Sequence, residues 1–269
     1  MSCNAPIGIL DSGFGGLSVL RAIRALLPAE NLAYCADHAF LPWGERAPAE
    51  VRLRTLHLAD VLVSDGAKAI VLACNTATAA AADLLRARLA VPVVGMEPAV
   101  KPAAAATRSG VIGVLGTGGT LASARFAGLL ERYAGDLEIV ARPSPELVTA
   151  AETEVRPHVR RALVAAALAP LLAQGADVIV LGCTHFAYLR PEIDAVAGPA
   201  VTVIDTGPAV ARQVARCLWA AHALRAGDPA PVATFRTTGD PGALSPTLQR
   251  LWGAAELRRL PVEPGSAHA

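Results

Sequence analysis

Lysine is nearly absent from this chain. Of 24 basic residues only Lys68 and Lys101 are lysines, so only two positions could carry a Schiff base to a pyridoxal group. An excess of charge is missing too. The formal net charge is +1, which provides no basic face for nucleic acid, and no nucleic-acid partner is expected. Nor does any apolar run approach the roughly 18 residues of a membrane span. The longest, Ala162 to Leu172, contains Pro170. Residues 1–11 lack a charged segment leading into an apolar one, so neither a secretory leader nor a membrane association is expected. The five cysteines, Cys3, Cys35, Cys74, Cys183 and Cys217, are odd in number, widely spaced and free of any Cys-x-x-Cys pair. That argues against a disulfide framework and against a zinc site, and no metal is expected. A reducing, cytoplasmic setting follows, in which each thiol needs its own explanation.

What is present is 269 residues, 53% of them apolar, enough for one large domain or two smaller ones and far from a disordered composition. Short β-rich runs alternate with helical spacing. Ile7–Leu10 reads as a strand, followed by glycines and then Val19, Ile23 and Leu26 at helical intervals. Val51, Thr55, Leu58 and Leu62 mark a second helix. Ala69–Ala73 is a buried strand that leads into an alanine-rich helix ending near Leu89. Val91–Val94, Val111–Leu115, Glu138–Ala141, Val178–Leu181 and Val201–Ile204 continue the strands. Alternation of this kind predicts an α/β fold with mostly parallel sheets flanked by helices.

The pattern also repeats. Ile7-Gly-Ile-Leu-Asp-Ser-Gly returns as Ile112-Gly-Val-Leu-Gly-Thr-Gly, and Val71-Leu-Ala-Cys-Asn-Thr returns as Val180-Leu-Gly-Cys-Thr-His. Any two α/β units share some likeness, but here a cysteine recurs along with the strand. Two similar domains are expected: residues 1–97 plus 207–269, and residues 98–206, parting near Met96–Pro102. The helical pattern Val210, Val214, Leu218 would return to cover the first domain. Beyond Arg225 the chain reads as irregular, with one strand at Val232–Thr237 and a frayed end from about Pro261.

Ligands of open α/β sheets bind beyond the carboxyl ends of the strands. Four predicted strands end there in polar or reactive groups: Asp11-Ser12, Cys74-Asn75-Thr76, Thr117 and Cys183-Thr184-His185. If the domains face each other, the cleft between them carries one thiol on each wall. Racemisation wants that arrangement, because a proton leaves one face of the α-carbon and another arrives on the opposite face. An unperturbed thiol has a pKa of about 8.5, so thiol and thiolate are both within reach near neutrality. Both cysteines precede a predicted helix, whose N-terminus lowers a thiol pKa. Lys68 precedes a strand at the end away from the cleft and Lys101 lies in the linker, so no cofactor is expected, and donors around the carboxylate would stabilise the carbanion. Buried cysteine is common as simple packing, and Cys3, Cys35 and Cys217 are read that way. Asp11-Ser-Gly-Phe-Gly-Gly16 has the look of a phosphate loop but lacks its lysine and spacing. His185 is either a packed histidine or, two residues after Cys183, a group that tunes that thiol. Glu152, unaided, reads as a surface residue on a helix.

The motifs Asp11-Ser-Gly-x-Gly-Gly16, Pro42-Trp-Gly44, Ala73-Cys-Asn-Thr-Ala-Thr78, Gly116-Thr-x-x-Thr-x-x-Ser123 and Gly182-Cys-Thr-His-Phe186 resemble, in order and spacing, those of the glutamate racemase family within the aspartate/glutamate racemase superfamily. The likeness spans roughly residues 7 to 208. It implies a cofactor-independent isomerase that supplies D-glutamate for peptidoglycan, commonly a homodimer. Cys74 and Cys183 would be the proton donor and acceptor, with Asp11, His185 and Glu152 assisting them. Ser12, Asn75, Thr76 and Thr184 would bind the amino and carboxylate groups of the amino-acid substrate, and Pro42, Trp43, Gly44, Thr117 and Thr120 would complete the pocket. The family usually has Tyr where this chain has Trp43, and the segment Arg142–Val148 is only loosely family-like. Aspartate, another amino acid or a hydantoin is the alternative substrate. A non-catalytic regulatory or binding protein on the same scaffold is the alternative of another class.

Overall fold

A computed structural model describes residues 2–133, 135, 137–227 and 230–260. The chain begins β1 (Ile7–Asp11), α1 (Leu17–Leu26), β2 (Leu32–Ala36), α2 (Pro48–Ser64), β3 (Ala69–Leu72), α3 (Asn75–Arg88), β4 (Val93–Val94) and α4 (Val100–Ala106). It continues β5 (Val111–Gly116), α5 (Gly118–Leu121), α6 (Ala124–Tyr133), β6 (Glu138–Pro143), α7 (Pro145–Glu152), α8 (Pro157–Ala173), β7 (Val178–Leu181), α9 (Arg190–Ala197) and β8 (Thr202–Ile204). The last elements are α10 (Gly207–Ala220), β9 (Ala233–Thr237), α11 (Pro241–Leu251) and β10 (Arg258–Arg259). Short 3₁₀ turns lie at His38–Phe40, Trp43–Glu45 and Thr184–Leu189. Among the described residues no helix is long and apolar enough to cross a membrane.

Two sheets result, ordered β10-β9-β2-β1-β3-β4 and β6-β5-β7-β8, with every pairing parallel. Every residue of β1, β3 and β7 is buried. That accounts for their unbroken apolar runs, since helices cover both faces of a parallel sheet. In the first sheet α1, α10 and α11 pack on one face, α2 and α3 on the other. In the second, α7, α8 and α9 oppose α4 and α6. The predicted α/β architecture of paired parallel sheets is therefore what the chain adopts.

The repeat extends to topology. The segments β2-β1-β3-β4 and β6-β5-β7-β8 have the same order and the same register. Ile7 pairs with Ala69 and Leu10 with Leu72, just as Ile112 pairs with Val178 and Leu115 with Leu181. Each cysteine of interest stands two residues beyond its strand, Cys74 after β3 and Cys183 after β7. In each sheet the chain crosses to one side after its first strand and returns to the other, so the loops after β1 and β3, and after β5 and β7, flank a topological switch point.

Three expectations are corrected. The strand β2 was not foreseen, although it pairs with β1 along its whole length. The region after Arg225 is not irregular but adds α11 and β10 as well as β9. Pro241 occupies the first turn of α11, Asp240 accepts a hydrogen bond from Gly242 N at 2.9 Å, and Leu248 and Leu251 are buried. The Gly and Pro that mask this helix in sequence are a helix start, where proline is tolerated, and an internal Pro246. Cys3 is exposed and is no packing residue, whereas Cys35 is buried and Cys217 half-buried. The frayed end expected from Pro261 lies outside the described residues.

Lys68 lies far from the thiols, at the opposite end of β3 from Cys74. It is 1% exposed. Its ammonium meets Glu30 Oε2 at 2.5 Å and donates to the carbonyls of Cys3 at 2.6 Å and Ala223 at 2.8 Å, while Arg225 N–H donates to Glu30 at 2.9 Å. This buried pair ties the N-terminal segment to the turn after α10 at that end of the first sheet. Lys101, by contrast, is exposed on α4. Lys68→Met leaves the Glu30 carboxylate buried without its counter-charge, and urea unfolding should register a loss of about 3–5 kcal/mol. Adding Glu30→Leu should restore most of that loss, because a buried pair is often replaceable by apolar side chains. If the single substitution costs nothing, the pair is not a structural anchor.

Candidate active site

The switch-point loops of the two sheets face each other across a cavity of about 210 Å³. Ligand pockets run from roughly 300 to 1,000 Å³ for drug-sized molecules, so this space suits a smaller one. Cys74, Asn75 and Thr76 line it from the first unit, and Cys183, Thr184 and His185 from the second. Ser12, Pro42, Trp43, Gly44, Thr117 and Thr120 complete the agreement with the residues anticipated from sequence. Asp11 and Glu152 are not in the wall. Both stand behind it, Asp11 near Cys74 and Glu152 one residue removed from Cys183, through His185.

Cys74 is the N-cap residue of α3. Its backbone is extended, and its sulfur accepts a hydrogen bond from Ala77 N at 3.5 Å. Burial pushes the Cys74 thiol up to about 12, and the neighbouring Asp11 carboxylate adds to the rise against the helix N–H groups. The helix N-terminus therefore does not win at this position: desolvation of a small anion outweighs it. Asp11 is fully buried. It accepts from Ser12 N at 2.8 Å, Gly16 N at 2.6 Å and Tyr34 Oη at 3.1 Å. Burial nonetheless holds its carboxyl above the ordinary range, with His185 and the two backbone donors pulling the other way.

Cys183 has a different neighbour. Its sulfur lies 3.6 Å from His185 Nδ1, and His185 Nε2 lies 2.8 Å from Glu152 Oε1. Glu152 Oε1 also accepts from Phe14 N at 2.6 Å, and Oε2 lies 3.3 Å from His38 Nε2. Burial works against charge on His185, yet its bonds to Cys183 and Glu152 raise it well above 6.5. Burial likewise opposes charge on Glu152, yet His185 and His38 together hold it below the ordinary carboxylate range. The unaided reading of Glu152 as a surface residue is thus wrong. It closes α7 with its carboxylate turned toward His185 and the Phe14 N–H, behind the cavity wall. His38 and the Phe14 N–H were missed as well. His38 follows β2, so recognising that strand would have brought it under the strand-end rule.

The glycine loop now has a physical reason. A side chain at Gly13 would collide with the Glu152 carboxylate, and one at Gly15 with the His185 ring. These glycines let groups of the second unit reach the backbone of the first. The rest of the wall mixes hydroxyls and an amide with apolar side chains, and Glu45 is a carboxylate residue within it. Hydroxyls of Thr76, Thr117 and Thr120 lie 2.9–3.2 Å from one another across the cleft. The Asn75 amide is buried, and neither its oxygen nor its nitrogen has a partner within the protein. Among the described residues no lysine or arginine lines the cavity. Leu41, Pro143, Pro145, Val148 and Thr149 also line it, and no motif pointed to them. Among the described residues no cluster of His, Cys, Asp and Glu has metal-holding geometry.

Residues 7–214 match the family model described as Asp/Glu/hydantoin racemase. A glutamate racemase of Pseudomonas putida is 51% identical over 251 residues, covering 93% of this chain and 94% of that protein. The glutamate racemase of Pseudomonas aeruginosa is 51% identical over 94% of this chain and 96% of its own. Among solved structures, a glutamate racemase isoform of Bacillus anthracis superposes with a TM-score of 0.87 at 32% identity, covering 96% of this chain and 97% of that one. The Escherichia coli glutamate racemase, crystallised with L-glutamate and the activator UDP-MurNAc-ala, gives 0.84 at 33% identity over 97% of this chain and 100% of its own.

The Glu152–His185 pair has a defined pH window. Glu152 is depressed from 4.5, so its contribution to stability is complete above about 4.5 and fades as pH falls through the folded value. His185 is raised from 6.5, so its contribution is complete below about 6.5 and fades as pH rises through the folded value. The stability difference between the wild type and Glu152→Gln should therefore peak between about pH 4.5 and 6.5 and shrink on either side. Urea midpoints measured across pH check this; a difference independent of pH would show that the pair is not ionised.

Proposed function

The chain belongs to the Asp/Glu/hydantoin racemase family, and from that footing we propose that it interconverts L- and D-glutamate, with Cys74 and Cys183 serving opposite faces of the α-carbon. The observation that carries this reading is the pair of sulfurs, one from each sheet, in the wall of one small cavity. The enzyme is an isomerase that works without pyridoxal phosphate. Lys68 is committed to Glu30 and Lys101 stands exposed on α4, so neither is at hand for a Schiff base.

In one direction a thiolate removes the α-proton while the opposite thiol returns a proton to the other face. The two sulfurs then hold each other's protonation state, which suits a reversible reaction. Cys74, pushed up to about 12, rests as a thiol and begins as the donor. Cys183 lies 3.6 Å from His185 Nδ1, so the imidazole orients that sulfur as the partner base. Asp11 acts on Cys74 through its field, and Glu152 acts on Cys183 through His185. Charge developing on the substrate carboxylate is met by fixed donors. We assign this to the hydroxyls of Ser12, Thr76, Thr117, Thr120 and Thr184, to the unpartnered Asn75 amide, and to the N–H groups opening α3. Pro42, Trp43 and Gly44 would shape the side-chain end. The orphaned amide supports a polar ligand, since a buried amide without partners is costly.

In this reading residues 98–206 form the domain that closes on the remainder, and the enzyme is a cytoplasmic homodimer supplying D-glutamate to peptidoglycan. The five free cysteines support a reducing compartment. The test is incubation with L-glutamate in deuterated water without added cofactor. D-glutamate carrying α-deuterium is expected, and Cys74→Ala and Cys183→Ala should each lower racemisation by at least about 10²–10⁴, the usual weight of a general acid or base. Near-normal turnover in either variant would refute the two-thiol assignment. A panel with aspartate and hydantoins tests the substrate separately.

A further inference from the structure

His38 belongs to no motif, yet it faces the machinery behind Cys183. Its side chain is 6% exposed. The ring packs edge-on against Phe14, with centroids 4.3 Å apart, and Nδ1 lies 3.1 Å from Thr237 Oγ1. Thr237 Oγ1 already accepts from Gly239 N at 3.0 Å, so its own proton is available for Nδ1. The Glu152 carboxylate can only accept, which calls for the proton on Nε2, and the neutral ring then takes the Thr237 hydroxyl proton at Nδ1. Nε2 lies 3.3 Å from Glu152 Oε2, within ion-pair distance, and is otherwise buried without a hydrogen-bond partner in the protein.

We propose that His38 is a positioning residue for the Cys183 half of the reaction, docking the Glu152 carboxylate of the second unit onto the first and so fixing His185 against the sulfur. The inference rests on the racemase reading and extends it. Glu152 Oε1 is shared by His185 Nε2 and Phe14 N. Oε2 has His38. Two-point anchoring sets the plane of the carboxylate, and that plane sets the imidazole. His38 and Phe14 belong to the first sheet's loops, while Glu152, His185 and Cys183 belong to the second's. The base at Cys183 is therefore complete only when the two units are closed, and a substrate that bridges them completes it. Other groups face this assembly. His185 and Glu152 face each other, and Arg250 of α11 donates to the Glu152 backbone carbonyl at 2.6 Å. Asp11, Tyr34 and Tyr188 all feel the Glu152 charge.

The experiment uses the full chain with His38→Leu and His38→Gln; the Gln amide can replace the Nε2 donor. Two readouts are taken. The first is the NMR titration of the His185 ring, which needs no substrate. His38→Leu should move its midpoint down, and His38→Gln should bring it back. The second is racemisation. Enantiomers have equal free energies, so kcat/KM must fall equally in both directions, and we expect at least a tenfold fall in His38→Leu. The isotope effect with α-deuterated substrate should grow for only one enantiomer, the one deprotonated by Cys183. His38→Gln should recover to within threefold. The proposal is overturned if His38→Leu leaves the His185 midpoint unmoved, or if activity falls without Gln rescue and with equal isotope changes for both enantiomers. If the wild type fails to racemise glutamate, the racemase reading falls, and the His185 midpoint alone decides the role of His38.

Discussion

One buried carboxylate determines how the two halves of the molecule meet. Glu152 is drawn out of water at the end of α7, and a buried anion is tolerated only where donors surround it. Those donors come from both units: His185 from the second, Phe14 N–H and His38 from the first. The cleft therefore closes in one register. The glycines of the Asp11–Gly16 loop follow from the same demand, because a Cβ at Gly13 or Gly15 would occupy the space that Glu152 and His185 need. What looks in sequence like a phosphate cradle is instead clearance for side chains from the opposite sheet.

The scaffold is nearly symmetric and the chemistry is not. The repeat superimposes β1 on β5 and β3 on β7, and with them Ser12 on Thr117 and Cys74 on Cys183. One position before the first pair and two after the second, symmetry ends. Asp11 corresponds to Gly116, and His185 corresponds to Thr76. Two equivalent thiols thus receive opposite neighbours, a buried carboxylate beside Cys74 and an imidazole beside Cys183. A duplicated strand-and-turn unit supplies two sulfurs at matched depth. Divergence at single positions then gives each sulfur its own electrostatic surroundings.

How far the sequence could be read follows from the range of the interactions. The strands β1, β3, β5 and β7 are buried on both faces, so their apolar runs are local and visible. The cysteine turns carry their polar residues in the next two positions and are visible too. The strand β2 was not: Leu32-Ala-Tyr-Cys-Ala36 is short and follows a proline-bearing turn, and Asp37 and His38 were lost with it. The helix α11 is masked by prolines at 241 and 246. Glu152 is the instructive case. Its partners are 138 residues away at Phe14 and 33 away at His185, and nothing in Ala150-Ala-Glu-Thr distinguishes it from a solvated helix end. Only the family resemblance drew attention to it.

The absence of lysine and arginine from the cavity follows from the same electrostatics. A guanidinium would grip a substrate carboxylate, but its charge would act on both sulfurs across so small a space and would erase the difference between them. In the proposed mechanism neutral donors would bind the anion, leaving the field at the sulfurs to Asp11 beside Cys74 and His185 beside Cys183. That field points across the reacting carbon. Burial and the Asp11 charge favour a proton on Cys74, which is the arrangement needed to begin in one direction and the reverse of what one turnover leaves behind. The altered state is the less comfortable one for the empty site. That swapped state can act only on the opposite enantiomer, and another turnover of the same one requires the sulfurs to exchange protons with solvent.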